Sequence, residues 1–220
     1  MTYLNRLKSN KYKFLLVRNI WILFVFINGY SFAQSKNSSF FELSSPEIHW
    51  IILHPFKAKK AFHISNDALR TTDSICDTDV LDKDKSGGQA DAFKHSYWLA
   101  RLTQKIGERA AIKLGEAHEK GNYKDYRKKK LEDGFVPDKL SSEMDLYNND
   151  IGTRIALENR DLNKLDLIEI IISEIQEGKM KILKKDELGN FLTCEGIVIP
   201  RDSLIGKWEN DKCLVSSNEN

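Results

Sequence analysis

Between residues 46 and 178 apolar residues recur mostly at helical spacing, and the pattern predicts a succession of helices. PEIHWIILHP (46–55) is a short apolar run bracketed by prolines. It reads as a helix capped by Ser45, with Pro46 in its first turn and Pro55 as its stop. Phe56 to Leu69 predicts a second helix, after which Arg70 to Gly88 dissolves into Thr, Asp, Ser, Lys and Gly, a loop by composition. Gln89 to Lys105 carries the stripe Ala90, Phe93, Tyr97, Ala100 and Leu102, with Gly87-Gly88 marking its start. After a break at Gly107, the segment to Glu119 carries Ala110, Ala111, Leu114 and Ala117, and Gly121-Asn122 reads as its C-terminal signal. A short basic helix over 123–132 and a GFVPDKL connection lead to a helix capped by Ser141 or Ser142, bearing Met144, Leu146, Ile151, Ile155 and Leu157. Asp161 caps one more, closed by Gly178. Beyond it the period shortens: MKILKK, a turn at 187–190, then FLTC and GIVIP predict two or three short strands. The expected architecture is mainly α, a helical bundle-like domain over 46–178 with a small β-rich tail over 179–220.

The N-terminus departs from this pattern. Residues 1–33 hold Arg6, Lys8, Lys11, Lys13 and Arg18 and no acid, then an apolar run, then Ser31-Phe32-Ala33. Basic region, apolar region and small-residue junction are the parts of a signal peptide, and the apolar run falls short of the ~20 residues a spanning helix needs. The expectation is an exported protein beginning at Gln34, with a flexible lead-in over 34–45 and no transmembrane anchor after cleavage. Its 29 basic and 32 acidic residues leave a net charge of −3, so nothing drives it toward nucleic acid or anionic membrane. The basic knot KDYRKKK reads as a solvated helix face. Cys194 and Cys213 are close enough in sequence for one disulfide, which would leave Cys76 as a buried free thiol. The acidic residues Asp73, Asp77, Asp79, Asp82 and Asp84 miss the EF-hand spacing.

The candidate chemistry lies between Asp91 and Gly152, in three polar clusters. Asp91, His95 and Trp98 share a helical face, His118-Glu119 ends a second segment, and Asp145, Asn149 and Gly152 share a stripe of a third, with Asn148 beside them. Imidazole and carboxylate ligands converging from several helices of a bundle suit zinc, manganese or iron. His95, His118 and Asp145 are the expected ligands of a divalent metal ion, with Asp91 or Glu119 as a further one. The same residues also admit metal-free chemistry, with a carboxylate-oriented histidine as general base and Asn148 or Asn149 donating to an oxyanion. The His, His-acidic, Asp order loosely resembles the metal-dependent HD phosphohydrolases, but the doublet here is His-Glu. H-E-x-x-H, G-x-S-x-G, the P-loop and G-x-G-x-x-G are absent.

DAFKHSYW, AHE and MDLYNNDIG resemble the three blocks of an uncharacterised bacterial domain of unknown function, the 6973 type, with the pattern [ND]-A-[FW]-[RK]-H-x-x-W, A-H-E and M-D-x-x-N-N-x-x-G. Similar domains occur in exported Bacteroidetes-type proteins and at the C-termini of polymorphic toxins. The likeness covers roughly 45–158 and implies a shared site at His95, Trp98, His118, Glu119, Asp145, Asn148, Asn149 and Gly152. Lys94 stands where many relatives carry Arg, which weakens a bidentate anion contact.

The resulting expectation is an exported hydrolase, metal-assisted or not. His95, His118, Glu119 and Asp145 are its catalytic residues, and Asp91, Trp98, Asn148 and Asn149 bind substrate. The competing expectation is a non-enzymatic periplasmic or surface binding module in which these groups form a buried polar network.

Overall fold

Helix α1 spans Ser45–Leu53, α2 Pro55–Cys76, α3 Gln89–Ile106, α4 Glu108–Lys128, α5 Lys139–Glu158 and α6 Lys164–Gln176. Strand β1 (Lys181–Leu183), a four-residue α7 (Arg201–Leu204) and β2 (Leu214–Ser216) follow. This computed structural model describes residues 43–129 and 136–219. The leader expected over 1–33, most of the lead-in and the middle of the 123–140 connection lie outside the described residues. The chain is mainly α, and the described residues include one two-stranded antiparallel sheet. No described helix is long and apolar enough to cross a membrane.

The organising element is α3. Fourteen of its 18 residues are buried, because α2, α4, α5, α6 and β1 all pack around it. Phe93 and Tyr97 stack at 5.5 Å and join Leu99 and Leu102 with Ile171 and Ile175 of α6 in the main core. Such enclosure places polar residues of α3 inside the bundle, where each needs a partner.

Several boundaries differ from the sequence expectation for packing reasons. The first helix ends at Leu53, ahead of Pro55 as expected, but Pro55 itself begins α2, since a proline is accepted in a first turn. Helix α2 runs on to Cys76: Thr71 and Thr72 are buried, and the Thr72 hydroxyl donates to the Ala68 carbonyl at 2.9 Å. Helix α4 does not end at Gly121-Asn122. A Cβ on Gly121 would lie 2.4 Å from Ser44 Oγ, so this glycine admits the start of α1 against the helix and is not a terminator. The N-caps of α5 and α6 are Asp138 and Asn163, each accepting a backbone N–H, instead of a serine and Asp161. The N-cap of α1 is Ser44.

The tail is sewn into the bundle. Met180 and Ile182 join the main core, while Leu183, Phe191 and Ile199 cluster around Met144 of α5. Strand β1 pairs with Leu214–Ser216. The expected FLTC and GIVIP strands contribute only the isolated bridges Lys185↔Phe191 and Leu192↔Val198. Cys194 and Cys213 form the disulfide, a short closed loop of the kind that contributes about 3 kcal/mol. Cys76 is unbridged and half-buried. Lys212 pairs with Asp138 and stands 3.8 Å over the Phe191 ring, tying the tail to the cap of α5.

Candidate functional site

Two glycines decide which side chains meet. A Cβ on Gly152 of α5 would stand 2.0 Å from the Ser96 carbonyl oxygen, so the backbones of α3 and α5 touch there. A Cβ on Gly115 of α4 would lie 3.3 Å from Asn149 Nδ2 and 3.6 Å from Leu99. These close approaches bring polar groups one and two turns away on the same helices into a single buried cluster.

Its centre is Asp91, His95 and Asp145. His95 Nε2 lies 3.3 Å from Asp145 Oδ1 and 3.6 Å from Asp91 Oδ1. One ligand-type atom from each residue falls within 4.8 Å of the others, and all three side chains are buried. Asp91 is held from two sides: Oδ2 accepts the Gly87 amide at 2.7 Å and Oδ1 pairs with Lys94 Nζ at 2.7 Å. The loop that delivers Gly87, with φ at +101°, is itself ordered by carboxylates. Asp82 accepts the amides of Gln89 and Ala90 at the start of α3, and Asp84 pairs with Lys185. These two acids of the 77–88 loop therefore serve capping and pairing.

A second layer is built on His118. Its Nδ1 is 3.1 Å from Glu47 Oε1, and its ring meets the Trp98 edge at a centroid distance of 5.5 Å and the His95 ring at 6.3 Å. The other carboxylate oxygen of Glu47 accepts the Ser44 amide at 2.7 Å. Glu119 Oε2 accepts from Asn122 Nδ2 at 3.1 Å. Trp98 is buried, and its indole N–H donates to Ser65 Oγ at 2.8 Å. It supports His118 and does not present an open face to a ligand.

The sequence-assigned residues thus divide. His95, Asp145, His118 and Glu119 lie in or beside the cluster, and Asn149 faces His95 closely enough to favour its protonated form. Asn148 sits elsewhere: its amide donates to the Lys181 carbonyl at 2.8 Å and accepts the Lys181 amide at 2.9 Å, clamping β1 to α5. The convergent trio contains Asp91, one turn before His95, together with His95 and Asp145, while His118 lies outside it. Glu47 is the residue that sequence reasoning missed. The S-x-x-E spacing from Ser44 marks it as a helix-start glutamate, but its pairing with His118 is a tertiary contact.

Burial pushes the His95 imidazole well below its ordinary range. The charges of Lys94 and His118 act in the same direction, and Asn149 opposes them. His95 is therefore neutral at pH 7, the form that binds a metal. Burial alone would raise the Glu47 carboxyl, but the hydrogen bond and charge of His118, with the Ser44 amide, hold it below the usual glutamate range. Both shifts have the same consequence for the metal-free protein. A group whose pKa is lower in the folded chain leaves the unfolded chain with more bound protons, so stability rises with pH across that window. Denaturant melts should show stability falling as pH drops through about 6.5, where unfolded histidine protonates, and again below about 4.3, where unfolded glutamate does. His95→Gln should flatten the upper step; an unchanged step would contradict the assignment.

A family model described as domain of unknown function (DUF6973) matches residues 48–179. The chain belongs to this family. No curated protein matches it, and no solved structure does. The DUF6973 segment runs from within α1 to the residue after Gly178. It therefore contains the whole Asp91–His95–Asp145 trio and His118, while Glu47 stands one position ahead of it.

Proposed function

We propose that this DUF6973 domain is an exported hydrolase whose centre binds one divalent metal ion through Asp91, His95 and Asp145. One observation carries the reading: three buried groups of ligand type, on two helices, place donor atoms within 4.8 Å of one another. Two carboxylates and one neutral imidazole form a mixed O/N set that suits manganese, iron or zinc better than calcium, which takes six to eight oxygens. The Gly87 and Lys94 contacts to Asp91 supply the outer support that metal-binding carboxylates require. A divalent ion there would lower the pKa of a bound water toward neutrality. His118, oriented by Glu47, is the adjacent proton acceptor, and Asn149 positions the group that reacts. Export is supported by the leader-like N-terminus and by the Cys194–Cys213 disulfide, a bond that persists in oxidising compartments.

The test is metal content and turnover together. Elemental analysis of the purified protein should find close to one transition-metal ion per chain, and a chelator should lower the melting temperature. Chromogenic ester, phosphodiester and glycoside substrates should reveal an activity that Asp145→Asn abolishes. A metal-free protein that takes up neither manganese nor zinc, and melts identically with chelator, contradicts the metal reading.

One observation favours a second reading. His95 is 2 % exposed and Asp91, His118, Glu119 and Asp145 are each 5–6 % exposed, the burial expected of a structural polar network in a non-enzymatic binding module. On that reading His95→Ala with His118→Ala costs several kcal/mol, because orphaned buried partners carry such penalties, and no metal is found.

A further inference from the structure

Between the first turn of α1, α4, α5 and the loop around Trp208 lies a cleft of about 810 Å³. It adjoins the proposed centre: Glu119, next to His118, and Ser142, three residues before Asp145, both form part of its lining. The Trp208 side is anchored, since the Trp208 carbonyl accepts the Lys139 amide at 2.8 Å and the Gly206 carbonyl accepts the Tyr126 hydroxyl at 3.0 Å. Trp208 meets Tyr123 edge to face at 4.8 Å, so two aromatic side chains wall the cleft. Ser142 is 8 % exposed and its Oγ has no hydrogen-bond partner, an orphan hydroxyl of a kind that demands an explanation.

We propose that this cleft binds a neutral saccharide chain and delivers it toward Glu119; its role as substrate, though not the binding itself, rests on the hydrolase reading above. The charges point to an uncharged ligand, because Lys120, Lys124 and Lys139 are matched by Glu116, Glu119 and Glu143. An anionic polymer such as nucleic acid finds no net attraction there. An extended peptide finds no strand edge, because the secondary structure at the cleft is helical. A sugar ring suits what remains. Its C–H face packs on amphipathic aromatics such as Tyr123 and Trp208, and one of its hydroxyls supplies a partner for the Ser142 hydroxyl.

Calorimetric titration of the purified protein with cellotetraose, xylotetraose and chitotetraose tests this directly. At least one should bind saturably, and Trp208→Ala and Ser142→Ala should each weaken it about tenfold, the loss of roughly 1.4 kcal/mol. Tyr123→Ala, at a half-exposed position that packing tolerates, provides a variant that will fold and should show the same direction. Asp145→Asn should leave affinity unchanged, so that a failure of the hydrolase reading is distinguishable from a failure of this one. The proposal is overturned if none of the three sugars binds, if binding survives in Tyr123→Ala and Trp208→Ala, or if only peptides such as tetraproline bind.

Discussion

Gly152→Ala should destabilise the protein severely. The added methyl group would stand 2.0 Å from the Ser96 carbonyl oxygen and 2.6 Å from its carbon, and these are backbone atoms of another helix, unable to swing aside as a side-chain tip can. Relief requires α3 and α5 to separate along their contact, which also disrupts Ile151 and Ile155 in the main core. Overpacking of this kind ordinarily costs about 1–3 kcal/mol. A clash with a rigid backbone belongs at or above the top of that range, a large fraction of the ~5–15 kcal/mol that holds a domain together. Urea unfolding followed by circular dichroism checks it. Gly189→Ala is the control, because nothing lies within 4 Å of that position and only its φ of +77° is strained. A Gly152→Ala protein as stable as the control would show that the two helices do not meet as described.

On the proposed metal reading, Asp91→Asn should lower manganese affinity by about 100-fold or more, while His118→Ala retains the ion with a smaller loss. The contrast follows from placement. Asp91 is one turn from His95 on the same helix and its Oδ1 lies 3.6 Å from His95 Nε2, whereas His118 turns Nδ1 toward Glu47. Asparagine preserves the shape of Asp91 and its acceptor for the Gly87 amide but removes the anionic ligand, so the loss reads charge and not packing. Isothermal titration with manganese measures both variants. Equal losses in the two would return His118 to the ligand set.

The residues of the centre were largely legible in the sequence, because four-residue spacing places Asp91 and His95 on one face whatever surrounds the helix. What the chain could not disclose was which groups from different helices pair. The sequence offers Asp91 both as a substrate contact and as a further ligand beside His95, His118 and Asp145, since nothing in the spacing says that α3 and α5 touch at Gly152. Glu47 escaped for the same reason: 71 residues separate it from His118. Gly121 shows the reverse error, a helix-ending residue by local preference that is demanded instead by the close approach of Ser44. Thr71 and Thr72 are weak helix formers whose burial carries α2 past its expected end. Asn148 resembles Asn149 in sequence, yet one clamps β1 and the other faces His95. The tail's alternating pattern foretold strands, but the partner of β1 lay beyond the disulfide loop.

The location of a bound ion tests the central claim most directly. Crystals of the protein grown with manganese or zinc, measured at the metal's absorption edge, should give one strong anomalous peak about 2.0–2.3 Å from Asp91 Oδ1, His95 Nε2 and Asp145 Oδ1. A peak at His118 and Glu47 instead, or none within the bundle, would contradict it.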